Sequence, residues 1–260
     1  MYPDPYLQEL KAATDGWFAR GLAALAITAT GLLMGFSAIP AHAADHAAAP
    51  AAKAWTPATL RGALAALPTG DAERGRVVNQ QLFCASCHGD TGVAPTQNWP
   101  HLAGQKAAYT AKMLLDYQSR LRSENKGAAL MHDLAVMMTP LQIADVSAFY
   151  AAQPAPRDDG TPRPTAGQGL SAEQLVRKGD PARLLTPCAS CHGVQGQGGK
   201  LEASALSGQN PLYFTRTLLH YQRGLRANDA AKGMSHFAKK LTRGEIDALA
   251  AYYADLPVKP

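Results

Sequence analysis

Cys84-Ala85-Ser86-Cys87-His88 and Cys188-Ala189-Ser190-Cys191-His192 are the same five letters written twice, 104 residues apart. Each is a C-x-x-C-H motif, the attachment signature of a c-type haem. The chemistry needs this spacing. Two thiols must each reach a vinyl group on one porphyrin edge, and the adjacent His must aim an imidazole nitrogen at the iron. The chain has four cysteines in all, and the two motifs use every one. Thioredoxin-like redox pairs, or two halves of one zinc centre, are the competing readings. The identical pairs, each followed by His and then Gly, instead predict two covalently bound haem c groups on Cys84, Cys87, His88, Cys188, Cys191 and His192.

Moving outward, the whole region repeats at this spacing. Leu102-Ala103-Gly104-Gln105 meets Leu206-Ser207-Gly208-Gln209, Tyr109 meets Tyr213, and Leu121-Arg122 meets Leu225-Arg226. Gly75 meets Gly179. After a one-residue gap, Thr139 meets Thr242, Ile143 meets Ile246, and Phe149-Tyr150 meets Tyr252-Tyr253. A repeat of this kind decides the architecture. One haem domain spans 71–154 and its copy spans 171–260. The Pro-rich joint over 155–170 is expected to be extended and fairly stiff. Residues 44–70, rich in Ala and Pro, are expected to be a mobile leader with a short helix over Thr59–Leu67.

With 47% hydrophobic but only 7% aromatic residues, and few strand-type runs, the composition favours an all-α fold. Each copy shares one plan. A helix precedes the motif (Ala72–Gln81, Ala172–Leu185), and an amphipathic helix follows the loop after it (Lys106–Leu121, Pro211–Leu225). A last helix (Pro140–Ala152, Arg243–Asp255) starts at a Thr cap, Thr139 or Thr242. Asn210 is a further candidate cap, ahead of Pro211.

The N-terminal 43 residues read as a targeting segment. No charge falls between Gly21 and Ala44, and Ala41-His42-Ala43 is a small-residue cleavage signal. A secretory signal peptide cut after Ala43 and an uncleaved membrane anchor both remain open, because the apolar run nearly spans a bilayer. Either places the bulk of the protein in the periplasm.

A six-coordinate haem needs a second axial ligand, usually Met or His. Met234 is the one methionine of the second copy, and its repeat partner is Met131. They follow their haem histidines by 42 and 43 residues. Met113, Met137 and Met138 have no Met partner and read as packing residues. The expected metal ligands are therefore His88, Met131, His192 and Met234. None of His101, His132, His220 and His236 coincides under the shift, although His132 and His236 lie beside the methionines.

Taken together, C-x-x-C-H-G, L-x-G-Q-x-x-x-Y, L-R, Met and an aromatic-ended last helix resemble the dihaem cytochrome c4 family over about 71–257. The resemblance implies two tandem class I cytochrome c domains related by pseudo-twofold symmetry, with His/Met ligation in both. It implies that Gly75 packs on Phe149 or Tyr150, and Gly179 on Tyr252 or Tyr253. It also implies that a Pro carbonyl holds the proximal imidazole. The first copy has Trp99-Pro100 before its L-x-G-Q and the second has Ser204-Ala205, so another acceptor is expected for His192. Tyr109, Tyr213, Arg122 and Arg226 are candidates for hydrogen bonding to the haem propionates.

Charge is uneven. Residues 71–154 hold seven Lys/Arg against seven Asp/Glu, whereas 171–260 hold twelve against seven. Such asymmetry steers docking of redox proteins rather than nucleic acid. The sequence thus points to an electron carrier and not an enzyme. The resemblance implies a quinol–cytochrome c oxidoreductase as donor and a terminal oxidase as acceptor. The alternative is the haem subunit of a periplasmic dehydrogenase, such as a flavocytochrome c sulfide dehydrogenase.

Overall fold

A computed structural model describes residues 53–156, 169–200 and 202–256. The expected targeting segment, residues 1–43, and most of the Pro-rich joint lie outside them. Among the described residues the architecture is helical, with one isolated bridge, Asp180 to Leu185, and no strand ladder.

The first domain is built from α2 (Ala72–Gln81), the single turn α3 (Ala85–His88), α4 (Ala107–Gln118), α5 (Lys126–Ala135) and α6 (Pro140–Ala152). Asp71 caps α2 by accepting the Arg74 N–H, and Asn125 caps α5. Thr139 closes a capping box with Gln142 ahead of Pro140, which suits the first helical position. The second domain repeats this with α7 (Ala172–Arg177), α8 (Ala189–His192), α9 (Pro211–Gln222), α10 (Gly233–Ala238) and α11 (Arg243–Asp255). Asn210 caps α9 and Thr242 boxes with Glu245. Each domain has its own core. Val78, Leu114, Ile143, Phe149 and Tyr150 close the first. Leu175, Val176, Leu218, Ile246, Leu249 and Tyr253 close the second.

The crossing of α2 over α6 follows from Gly75. A Cβ there would overlap the Asp145 carbonyl and the Phe149 Cβ, so only Gly permits this approach. That agrees with the sequence reading for Gly75. Gly179 does not do the same job. It lies outside α7 at φ +68°, against Leu185 and Pro187 rather than Tyr252 or Tyr253. The expected helix Ala172–Leu185 correspondingly stops at Arg177, because Gly179 and Pro181 break it. The chain then makes a 3₁₀ turn over Pro181–Arg183 and pairs Asp180 with Leu185. Arg183 from this turn bonds Glu245 of α11 at 2.7 Å. In the second domain, Leu175 and Val176 of α7 enter the core instead of a glycine contact. Helices α4 and α9 end earlier than expected, since Arg120 (φ +58°) and its partner Gly224 (φ +72°) turn the chain left-handed.

Within the stretch expected to be a mobile leader, Pro57–Ala65 forms a further helix, α1, under a Thr56–Thr59 capping box. Its Leu60 is fully buried, and the Trp55 indole N–H donates to Asp116 of α4. Burying one Leu side chain contributes about 1.5–3 kcal/mol. That is enough to dock a short helix whose own propensity is marginal.

Candidate functional site

Each C-x-x-C-H motif folds as one helical turn that ends on a left-handed Gly, Gly89 or Gly193. All four cysteines are free. The turn brings Cys84, Cys87 and His88 together, and likewise Cys188, Cys191 and His192. Both histidines are buried, and burial lowers their pKa, which keeps the imidazoles neutral. Nδ1 of His88 bonds the Pro100 carbonyl at 3.0 Å, and Nδ1 of His192 bonds the Ser204 carbonyl at 2.8 Å. Nε2 is left as the nitrogen for iron, and the Nδ1 bond fixes ring orientation and raises ligand basicity. The expectation of an acceptor other than a Pro carbonyl for His192 is thus met. Ser204 stands at the repeat position of Pro100, and the acceptor is a backbone carbonyl that any residue supplies.

Met131 lies on α5 and Met234 on α10, both half-buried against their domain cores. Their structural equivalence is fixed by a matched pair of clasps. Gln118 donates to the carbonyls of Ala135 and Met138, and Gln222 donates to those of Ala238 and Leu241. These bonds set the α5 and α10 exits in the same register, so Met131 corresponds to Met234 and Met138 to Leu241. Met138 sits in the core, Met137 is 61% exposed, and Met113 is buried between the domains. His132 bonds the Tyr117 carbonyl through Nδ1, His101 accepts the Ala94 N–H, and His236 is exposed.

Arg122 and Arg226 are buried where the two domains meet. Each stacks on its own tyrosine, Arg122 over Tyr117 at 4.5 Å and Arg226 over Tyr221 at 4.7 Å. Arg122 pairs with Glu124, while Arg226 Nε meets the neutral Asn228 at 2.9 Å. Arg226 also crosses the interface to the Tyr109 hydroxyl at 3.2 Å and to the Met113 sulfur. Burial pushes the Tyr213 hydroxyl up, but the Arg122 and Arg226 guanidinium groups outweigh it and hold the pKa at about 8. Arg226 Nη1 is buried without a hydrogen-bond partner. An orphaned guanidinium nitrogen is costly unless an anion meets it.

The donor set therefore fits covalently held haem. It supplies two thiols and a neutral, backbone-anchored imidazole per domain, a repeat-matched thioether, and an unpaired buried cationic nitrogen suited to a carboxylate. It does not fit zinc. Among the described residues, no three His, Cys, Asp or Glu side chains converge as a metal site.

Sequence reasoning missed a polar seam between the domains. Lys112 donates to Asp116 of its own helix and to the Asn228 carbonyl of the second domain. Asn228 Nδ2 returns a bond to Asp116. Their repeat partners are Arg216 and His220, so comparison of the two copies conceals rather than reveals this cluster. The Gln105 and Gln209 side chains also cross between domains. The paired L-x-G-Q flagged those positions without showing their use.

A cytochrome c family model matches residues 72–152. A model of cytochrome c oxidase, cbb3-type, subunit III, matches 184–252. The chain is 34% identical over 194 residues to a cytochrome c4 of Thiocapsa roseopersicina, covering 74% of this chain and 96% of that protein. It is 32% identical to a thiosulfate dehydrogenase electron acceptor of Stutzerimonas stutzeri, over 68% of this chain and 81% of that one. Among solved structures, reduced recombinant cytochrome c4 from Pseudomonas stutzeri superposes with a TM-score of 0.61 at 28% identity, covering 73% of this chain and all of that chain. Thiosulfate dehydrogenase (TsdBA) from Marichromatium purpuratum gives 0.60 at 32% identity, over 72% of this chain and 40% of that one. Two attachment turns with matched proximal anchors, duplicated helical domains and these likenesses lead to one conclusion: the chain belongs to the cytochrome c4 family, dihaem electron-transfer cytochromes, and carries two covalently bound haem c groups in tandem class I cytochrome c domains.

Proposed function

We propose that the protein shuttles single electrons between redox proteins of the periplasm, with His88 and Met131 as axial ligands in domain 71–154 and His192 and Met234 in domain 171–260. Haem c supplies a one-electron ferric/ferrous couple at each site. The chain's residues do the rest. The Pro100 and Ser204 carbonyls hold the imidazoles, the Met131 and Met234 thioethers would supply the second ligands, and Arg122, Arg226, Tyr109 and Tyr213 would receive the propionates. The observation that carries the reading is the matched register of the two half-buried methionines, set by Gln118 and Gln222. With a His and a Met committed to each haem, no ligand position would be left for a substrate, which supports a carrier over an enzyme.

The donor is read as a quinol–cytochrome c oxidoreductase and the acceptor as a terminal oxidase. A second reading, service to a sulfur-compound dehydrogenase, is supported by the relatives named thiosulfate dehydrogenase electron acceptor. It replaces the flavocytochrome as the favoured form of the dehydrogenase alternative. No helix of the described residues is long and apolar enough to cross a membrane. Anchoring versus release thus turns on residues 1–43. Mass spectrometry of the purified mature protein answers both questions at once. Two haem additions on a chain starting at Ala44 are expected. A single addition, or haem extracted by acid-acetone, overturns the dihaem assignment.

The basic excess of 171–260 is smaller at the surface than the sequence count implies. Arg226 is buried, Arg216 bonds the Asn98 carbonyl, and Arg243 pairs with Asp247. Arg223, Lys232 and Lys239 remain exposed, with Lys240 half-exposed. In the first domain, the positions of Lys239 and Lys240 are Val136 and Met137, exposed apolar residues. An acidic partner therefore docks on the second domain. Reversing Lys239 and Lys240 to Glu is expected to slow electron exchange with such a partner several-fold at low salt, with the effect fading at high salt. An unchanged rate at low salt, with intact haem spectra, sinks this docking face.

A further inference from the structure

The L-x-G-Q glutamines are exchanged between the domains. Gln209 of the second domain accepts the His101 N–H at 2.9 Å and donates to the His101 carbonyl at 3.0 Å. Gln105 of the first domain accepts the Ala205 N–H at 2.8 Å and donates to the Ala205 carbonyl at 3.1 Å. Each side chain thus clamps both polar groups of one residue in the opposite domain, as a short strand would. That residue directly follows the one whose carbonyl holds the proximal imidazole. His101 follows Pro100, the acceptor for His88, and Ala205 follows Ser204, the acceptor for His192.

Both glutamines are buried, and each is itself braced. Gln105 Oε1 also accepts the Lys106 N–H, and Gln209 Oε1 the Asn210 N–H. The arrangement leaves little slack between a glutamine and the foreign carbonyl it locates. We propose that Gln105 and Gln209 are positioning residues acting in trans: each sets the strength of the proximal-histidine hydrogen bond, and so the reduction potential, of the haem in the other domain. The proposal rests on His88 and His192 being the iron ligands. The physical link is ordinary. A strong Nδ1–H···O=C bond makes the imidazole a better donor and favours ferric iron, and loosening the carbonyl weakens it. The consequence is a mutual dependence of the two haems that needs no contact between them. Anything that shifts one domain against the other retunes both.

The link is not equally strong in both directions. The loop around Pro100 is also gripped by Asn210, which donates to the Thr96 and Trp99 carbonyls, and by Arg216 on Asn98. Among the described residues no such added grip from the first domain falls on the Ser204 loop, where Gln105 bonds Ala205. Haem 2 should therefore respond more to loss of Gln105 than haem 1 does to loss of Gln209.

The test uses the full-length dihaem protein with Gln105→Met and Gln209→Met, which keep side-chain volume and remove both bonds. Each haem is followed separately through a redox titration by its paramagnetically shifted NMR signals, assigned by contacts to its own attachment cysteines. Gln105→Met should raise the reduction equilibrium of the haem on Cys188 and Cys191 by on the order of tenfold, about 59 mV for a one-electron couple. The haem on Cys84 and Cys87 should stay put. Gln209→Met should do the converse, by less. A shift confined to the haem of the mutated domain, or no shift in either haem, overturns the proposal. Should a Met variant mature poorly, Gln105→Glu retains the acceptor for the Ala205 N–H and loses the donor. It should then give a smaller shift in the same, opposite-domain haem; a same-domain shift again overturns the proposal. Failure of the ligand assignment would show differently, as wild-type protein in which the His88 and His192 ring protons carry no haem-induced shift.

Discussion

Met234→Ala is expected to remove about half of the near-infrared sulfur-to-iron band of the oxidised protein, and Met131→Ala the other half. Each change also lowers the potential of one haem and leaves the other nearly in place, because thioether ligation raises haem potentials. Met138→Ala is the informative contrast. Met138 is 7% exposed in the first core, so its truncation should cost about 2–5 kcal/mol of stability while leaving the band intact. The distinction rests on the register fixed by Gln118 and Gln222, which makes Met138 the counterpart of Leu241 rather than of Met234. Retention of the full band in Met234→Ala would show that another residue binds the second iron.

Asp116→Ala destabilises the protein by about 3–5 kcal/mol, seen as a lower midpoint in chemical denaturation. Lys112 and Asp116 are 1% and 0% exposed and 2.6 Å apart. Burial pulls the Lys112 ammonium below its ordinary pKa, and Asp116 is what opposes this. Without the carboxylate, a buried ammonium retains only the Asn228 carbonyl. The Trp55 indole and the Asn228 amide lose their acceptor as well. Replacing both partners, as Lys112→Met with Asp116→Leu, should recover the part of the loss due to the unpaired ammonium, but not the part due to Trp55 and Asn228, which still lack their acceptor. A loss under about 1 kcal/mol for Asp116→Ala would mean that water reaches the site freely.

How legible all this was in the sequence depended on whether the relevant physics is local. Helices Ala72–Gln81, Pro140–Ala152 and Arg243–Asp255 agree end to end with the sequence reading, because a capping residue at each start, Asp71, Thr139 or Thr242, is a local signal. The attachment turns are equally local. Alignment by a single shift failed at Gly179, where extra residues between α7 and Cys188 change the register. The first copy's glycine crossing then has no counterpart. A short helix over Thr59–Leu67 was legible, but the docking of helix Pro57–Ala65 was not, because Leu60, Leu64 and Trp55 carry it, too few to leave a periodic pattern. Least visible was the seam between the domains. Lys112, Asp116 and Asn228 look like ordinary solvated residues until the partner domain covers them.

That seam limits how the duplicated protein can change. Corresponding positions in the two copies have parted ways: Lys112 against Arg216, Asp116 against His220, Glu124 against Asn228. Lys112 and Asp116 make sense only against the opposite half, where they meet Asn228. A half released at the Pro-rich joint would turn an ammonium, two amides and an arginine stack to water with nothing cut to receive them. The chain began, on its sequence, as one module copied. Its interior now makes the two copies inheritable only as a pair, and a useful substitution in one is screened by the other.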